Sequence, residues 1–361
     1  MFDPQAIYDP VGQRWILCAE AFSESATVQY FFIAVSQTAD PLGAYWIYKF
    51  NVSDGLNGLW DFPKLGMDQN AVIFTANLFT AAGVYYNTKA YVAAKSNLYS
   101  GAAVTAYAWT GLLATLLPPF VLDSNPNSYL VAANTSPNVA IYTLTGSGSS
   151  TPTLYAPVNI NVGTYPAPPD AAQPGTTKLI DTSDRRFVNA STQIGNSLFQ
   201  VHTIASGSRA IPRWYEFDTV TNTVIQSGYF SRSATSYDFN ASIRANKRKD
   251  VFVTWSSTDP TNGINAEVRY AARLHSDPLG TIPSPGYLLF GSAANLTGNG
   301  TDTQRWGDYS AVSLDPADAS GRTAWIVNER IVDTNTWGSR IGQIKLPLSS
   351  SGAGINLLLL Q

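Results

Sequence analysis

An all-β fold is predicted by three observations. Across 361 residues the hydrophobic share is 45% and the aromatic share 12%, while charged residues reach only 13%, about half the usual fraction. Gly, Pro, Ser, Thr and Asn fill the difference, which is the composition of many short strands joined by turns. No apolar spacing of three and four persists over several turns, so no long amphipathic helix is predicted. Finally, one pattern recurs along the chain. Its clearest copy has a charged and aromatic lead-in (Gln304-Arg305-Trp306-Gly307-Asp308-Tyr309) and a short strand of small residues (Ser310-Ala311-Val312-Ser313). An Asp315-Pro316…Gly321 turn and a strongly apolar strand, Ala324-Trp325-Ile326-Val327, complete it.

The first repeat reads as four strands, around Gln5–Tyr8, Arg14–Cys18, Tyr30–Val35 and Tyr45–Phe50. They are joined by the turns Asp9-Pro10-Val11-Gly12 and Asp40-Pro41-Leu42-Gly43, where Pro fixes φ and Gly accepts a positive one. The second opens on Asp61–Asp68 and Ala71–Thr75; its Ala-rich outer half, 89–111, predicts a helical turn near Ser96–Tyr99. The third has strands at Phe120–Asp123, Tyr129–Ala132 and Val139–Tyr142, and the Pro/Gly-rich insert Tyr165–Gly175 reads as a surface loop. The fourth runs through Arg186–Ser191, Leu198–His202 and Arg213–Phe217. The fifth runs through Tyr237–Ile243, Val251–Trp255 and Val268–Arg273 and is completed by an Asp277-Pro278-Leu279-Gly280 turn. The sixth ends with Arg340–Ile344 and the tail Ile355–Leu360, too short for a membrane span and suited to completing a sheet.

With Asp9, Asp68, Asp123, Thr192, Ala245 and Asp315 as equivalent turn positions, the successive gaps are 59, 55, 69, 53 and 70 residues. Four short strands per period of this size mark a propeller rather than a solenoid. One such sheet cannot bury both faces, whereas a closed ring of six or seven can. The expectation is therefore a single β-propeller domain over 1–361, with six blades at approximately 3–60, 61–116, 117–180, 181–235, 236–300 and 301–361. Seven blades is the alternative, because Met1 stands just ahead of the first repeat and upstream sequence could furnish another.

The net charge of −3 and pI near 5.4 argue against nucleic acid, which needs a basic stripe. Lys247-Arg248-Lys249, the one basic cluster, reads as a solvated hairpin tip. Cys18 is alone, so an intrachain disulfide and paired-cysteine metal sites are ruled out. His202 and His275 leave little for zinc, and neither has a Ser or Asp partner at the spacing of a hydrolase triad. His202 reads as a hydrogen-bonded core-edge histidine. Asp123-Ser124-Asn125-Pro126-Asn127 resembles the start of a calcium loop but lacks its Gly and terminal Glu, so it reads as an Asx-rich turn. No cofactor or metal is predicted, a structural calcium ion being left open. No signal peptide is read at Met1, yet low charge and a Thr/Asn/Ser-rich surface suggest an exported, extracellular protein, expected to be a monomer.

Several strings carry a resemblance. They are Asp3-Pro4…Tyr8-Asp9 with Arg14-Trp15, Asp40-Pro41-Leu42-Gly43-Ala44-Tyr45, Asp61-Phe62-Pro63-Lys64-Leu65-Gly66 and Arg213-Trp214-Tyr215-Glu216. To these add Arg269-Tyr270…Asp277-Pro278-Leu279-Gly280 and Arg305-Trp306-Gly307-Asp308-Tyr309-Ser310. Together they resemble a family of uncharacterised secreted bacterial proteins with sialidase-like β-propeller domains. That resemblance implies the fold and export and carries no established activity.

In a propeller the segments leading into the innermost strands share one face. Five of the six lead-ins carry charge: Asp3; Asp61 with Lys64; Asp184-Arg185-Arg186; Tyr237-Asp238; and Arg305-Trp306 with Asp308-Tyr309. The third offers only Leu117-Pro118-Pro119. A funnel of carboxylates, guanidinium groups and aromatic rings suits a polyhydroxylated or acidic sugar or another cell-surface ligand, since Arg grips carboxylate and aromatics stack on sugar faces. The ligand-binding candidates are Lys64, Arg186, Tyr237, Arg305, Trp306 and Tyr309. If the protein is instead a carbohydrate-active enzyme, a glycoside hydrolase or lyase, the acid and base come from Asp3, Asp61, Asp238 and Asp308. The third reading is a structural or adhesive surface protein whose repeated Asp/Arg/Trp groups brace neighbouring blades. Glu216 and Glu329 read as structural.

Overall fold

The chain enters a strand at its second residue, and short apolar runs between turns keep much of it in strands. A computed structural model describes residues 1–25, 28–53, 58–298, 300–346 and 356–359. Their secondary structure is all-β apart from a one-turn helix and a short 3-10 turn, Pro260–Asn262. No helix among the described residues is long and apolar enough to cross a membrane. The chain divides into two compact units, Met1–Asn134 with Val139–Asn159, and Thr135–Asn138 with Ile160–Gln361.

In the first unit, β1 (Phe2–Asp9), β2 (Arg14–Ser25), β3 (Val28–Ser36) and β4 (Tyr45–Asn51) form a four-stranded antiparallel meander. Ile16, Cys18 and Glu20 of β2 and Phe31, Ile33 and Val35 of β3 are buried, the period of two that a one-sided sheet requires. A second meander follows in β5 (Gly58–Met67), β6 (Ala71–Thr80), β7 (Tyr85–Ala94) and β8 (Tyr107–Trp109), with α1 (Lys95–Leu98) between the last two. The helical turn expected near Ser96 is therefore present, one residue earlier. Phe74 stacks on Phe31 at 4.9 Å and on Tyr91 at 5.0 Å between ring centroids. Each such buried ring contributes roughly 2–3 kcal/mol.

The third repeat departs from the expected meander. β9 (Pro119–Val121) pairs in parallel with β5 through Met67↔Phe120, and only the bridge Leu117↔Val131 joins its lead-in to β10 (Asn127–Ala133). Pro118 and Pro119 lack the N–H groups that a ladder with β10 would use. β10, β11 (Asn138–Thr145) and β12 (Thr153–Leu154) continue as hairpins, and β13 (Val158–Asn161) ends the stretch.

The second unit opens with β14 (Ala171–Ala172) and β15 (Leu179–Ile180), which pair with the later β24 (Thr303–Gln304). The insert expected as a surface loop is thus partly structured. Its Tyr165 is fully buried and donates its backbone N–H to the Ser136 hydroxyl at 3.0 Å. Three meanders follow: β16 (Ser191–Ile194), β17 (Ser197–Ser206), β18 (Arg209–Asp218) and β19 (Thr223–Tyr229); β20 (Tyr237–Ala245), β21 (Val251–Asp259), β22 (Ile264–Arg273) and β23 (Tyr287–Gly291); β25 (Ala311–Leu314), β26 (Thr323–Asp333), β27 (Thr336–Lys345) and β28 (Asn356–Leu359). β28 is the expected sheet-completing tail; Ile355 and Leu360 lie outside the described residues. Arg186–Ala190, expected as strand, is not: Asp184 accepts the Arg186 N–H at 2.7 Å, bending the chain there. The fifth repeat gains its fourth strand, β23, after the Asp277–Gly280 turn rather than ending at it.

The recurring turn aspartates have one local job. Asp9, Asp68, Asp123 and Asp315 each accept the backbone N–H two residues ahead, at 2.8–3.1 Å, the Asx-turn that makes Asp favourable there. At the first turn the positive φ falls on Gln13 (50°) rather than Gly12. Gly12 is needed for space instead, since a β-carbon would collide with the Tyr99 ring. Tyr99 and Lys95 reach back to the Asp9 carboxylate at 2.6 and 2.7 Å.

Three strands that open sheets carry the same irregularity. The ladders of β1, β5 and β20 shift register at Phe2/Gln5, Asp61/Lys64 and Phe239/Ser242, and Asp3, Phe62 and Asn240 there have φ of 48°, 60° and 48°. A bulge of this kind bends its strand and re-aims the side chains beside it.

Candidate functional site

The predicted residues fall into two groups. Asp3, Asp61 and Lys64 belong to the first unit; Arg186, Tyr237, Asp238, Arg305, Trp306, Asp308 and Tyr309 belong to the second.

In the second unit a shallow depression of mixed polar and apolar lining lies among Asp181–Asp184, Val188, Asn189, Val201–Thr203, Asn240, Ala241 and Trp306–Asp308. Its enclosed volume is about 20 Å³, room for one or two waters. Its floor is a brace of small polar groups. The Asn189 amide donates to the Ala241 carbonyl and the Ser310 hydroxyl, both at 3.0 Å. The Ser242 and Ser310 hydroxyls meet at 2.7 Å, and Ser310 donates to the Asn240 carbonyl at 2.9 Å. The small polar residues Asn189, Asn240, Ser242 and Ser310 are therefore bonded to one another.

The charged rim is largely self-neutralised. Arg186 holds Asp184 at 2.6 Å and Arg305 holds Asp308 at 2.6 Å. Both pairs are open to solvent, where such contacts are worth at most about 1 kcal/mol. Each carboxylate offsets the charge of its guanidinium group, which weakens the pull on a ligand carboxylate while leaving further N–H donors on both arginines.

Two predicted roles need correction. Trp306 lines the depression but is no exposed platform: it is 4% exposed, packs edge-on against Phe239 at 6.1 Å and donates its indole N–H to the Ser256 hydroxyl at 3.2 Å. Asp238 is fully buried and accepts from the Ser236 hydroxyl (2.6 Å), the Trp255 indole (2.9 Å) and the Arg232 N–H (3.1 Å). Burial pushes its pKa up while those donors pull it down. With its oxygens enclosed it joins sheet elements. Tyr237 packs on the same apolar cluster as Trp306, and Tyr309 is half-buried beside Asp308.

Two groups read as structural stand closest to chemistry. Glu329 on β26 accepts the Gly307 N–H, and burial, with Asp308 adding to it, raises its carboxyl to about 7. A β-carbon at Gly307 would meet the Glu329 carboxylate, which would have to shift to make room. His202 is buried, and burial lowers its pKa to about 3. Its Nδ1 lies 2.7 Å from the Arg185 carbonyl, which only accepts, so Nδ1 carries the proton and Nε2 accepts from the Tyr215 hydroxyl at 3.0 Å. The core-edge reading of His202 agrees with this arrangement.

In the first unit, Asp3 and Asp61 come together with Glu20: one carboxylate oxygen of each lies within 4.8 Å of the others. Lys64 is buried nearby, its ammonium 3.2 Å from the Phe62 ring centroid, a cation–π contact. The Gln5 amide donates to the Pro63 carbonyl at 2.5 Å, tying one bulge to the other. Glu20 is 1% exposed. Burial first, then Asp3 and Asp61, raise its carboxyl to about 10, against the pull of Lys64. Sequence reasoning missed Glu20, although a Glu continuing the buried series Ile16, Cys18 was the available signal.

No family model matches the chain, and no curated protein does. Similar solved structures include a protein of unknown function from Dyadobacter fermentans (TM-score 0.43, 9% identity, 84% of this chain and 83% of that one covered). Others are the endo-arabinase of Bacteroides thetaiotaomicron (0.38, 12%, 96% and 94%) and the β-propeller domain of the Trilobed protease from Pyrococcus furiosus (0.39, 8%, 83% and 72%). At these scores and identities the likenesses decide neither fold nor activity.

Proposed function

We propose that the chain is a six-bladed, monomeric, extracellular β-propeller whose second unit binds an uncharged polyhydroxylated ligand, such as a neutral sugar at the end of a surface glycan. Six repeats of sheet-forming strands support the propeller, and the low charge with a Ser/Thr/Asn-rich surface supports export. The observation that carries the ligand class is the pairing of Arg186 with Asp184 and Arg305 with Asp308. It leaves the depression rich in carboxylate, carboxamide and hydroxyl groups that hydrogen-bond sugar hydroxyls, with both rim guanidinium groups engaged. The small enclosed volume suits recognition of one or two hydroxyls, hence weak binding.

A glycan array followed by calorimetry tests this. Neutral glycans are expected to bind, and Asp308→Ala to weaken them about tenfold, the loss of one charge-assisted hydrogen bond. Binding confined to sialylated or uronic-acid glycans, or none to any glycan, would overturn the reading. A second reading rests on Glu329. A carboxyl that keeps its proton up to about pH 7 is what a general acid needs. Release of reducing sugar from a bound glycan, lost in Glu329→Gln, would make that ligand a substrate.

A further inference from the structure

We propose that Asp3, Glu20 and Asp61 of the first unit form a binding site for one divalent cation that prefers oxygen ligands, calcium being the best fit. The three carboxylates come from two sheets: Asp3 and Glu20 from β1 and β2, Asp61 from β5. A bound ion would therefore staple those sheets together.

Four features of the cluster carry the inference. Its oxygens lie within 4.8 Å of one another, and ligands on opposite sides of a calcium ion, each 2.3–2.6 Å from it, are about 5 Å apart. Second, Glu20 is 1% exposed, and neither of its carboxylate oxygens has a hydrogen-bond partner among the described residues. A buried polar group in that state is costly unless something meets it, and Glu20 faces Asp3 and Asp61. Third, charge: Asp3 and Asp61 outnumber the one Lys64 ammonium acting on Glu20, and a divalent cation taking the place of the Glu20 proton would offset that excess. Lys64 thus offsets one carboxylate and cannot balance the set. Fourth, the donors are all oxygen. That set favours calcium, magnesium or manganese over zinc or copper, and calcium accepts irregular geometry best, with water oxygens completing its larger shell. The site is independent of the sugar reading of the second unit.

The test uses the full chain stripped with EDTA. Terbium luminescence excited through tryptophan, with Trp60 adjoining Asp61 in sequence, reports occupancy, and calcium displaces the probe. Metal analysis after dialysis against calcium should find about one ion per chain, with the melting temperature raised by several degrees through linkage. Glu20→Gln and Asp61→Asn should each weaken calcium about tenfold or more, whereas Asp123→Asn and Asp315→Asn should leave it unchanged. If Glu20→Gln does not fold, Asp3→Asn takes its place. No calcium retained by the parent chain and no change in melting temperature would overturn the site. So would calcium binding that survives in folded Glu20→Gln and Asp61→Asn, or that is lost in the Asp123 or Asp315 variants instead.

Discussion

Asp238→Ala is expected to destabilise the protein by about 3–5 kcal/mol and to shift its denaturation midpoint accordingly. The Asp238 carboxylate is sealed from solvent and takes hydrogen bonds from the Ser236 hydroxyl, the Trp255 indole and the Arg232 backbone. Truncation leaves those donors facing an apolar methyl, and each buried donor without an acceptor costs about 1–3 kcal/mol. Some of that is recovered where Ser236 can turn its hydroxyl, so the sum stays below the upper limit. Asp238→Asn should be milder, by about 1–2 kcal/mol. Its carbonyl keeps the indole and Arg232 contacts while its amide faces a serine oxygen able to accept. The measurement is urea unfolding of the parent and both variants, alongside glycan binding. A catalytic or ligand-binding Asp238 would behave in the opposite way, with stability held in both variants and function lost in both.

Asp238 also shows where sequence stops informing. Its position beside Tyr237 at the start of a sheet's first strand was legible, because strand position follows from local alternation and turn residues. What lay across from it was not, since Trp255 and Ser236 meet it only through the pairing of β20 with β21 and the loop before β20. The same division runs through the molecule. The first meander, the Asx turns at Asp9, Asp68, Asp123 and Asp315, the hairpin tip at Lys247–Lys249 and the helical turn at Lys95 are local, and each was readable. The third repeat failed because two adjacent prolines removed ladder donors. For Arg186 and Arg305 a local clue was present but given too little weight. Asp184 two residues before one, and Asp308 three residues after the other, are close enough to claim the guanidinium group before any ligand does. Trp306 looked like a platform because aromatics in charged segments often are; contact with Phe239, sixty-seven residues earlier by numbering, buries it. Glu20 needed both levels at once. The alternation turns it inward, and only the approach of β5 brings Asp61 to it.

His202 supplies the second large effect, and it depends on pH. Burial among Tyr165, Phe187 and Tyr215 lowers its pKa from the ordinary 6.5 to about 3, with Arg213 adding to the fall and the Arg185 carbonyl and Asp184 opposing it. A folded-state pKa below the unfolded one means that the unfolded chain takes up the proton first. The stabilisation is whole above pH 6.5 and is lost as pH falls from there toward 3, by about 1.4 kcal/mol per unit. Glu329 acts with the opposite sign. Raised from 4.5 to about 7, it binds its proton more tightly in the folded state, so acid favours folding across that window. In the intact protein the two slopes partly cancel between pH 4.5 and 6.5, and a simple acid titration would show little. The variant His202→Gln separates them. Its amide can donate to the Arg185 carbonyl and accept from Tyr215 without ever becoming charged, and Glu329 is the same in both proteins. The stability of the parent minus that of His202→Gln should therefore fall by about 3 kcal/mol between pH 6.5 and 4.5. A difference that stays flat across that range would mean the imidazole takes up its proton while the protein is folded. The ring would then have to be turning out into the depression it lines, where it could meet a ligand directly.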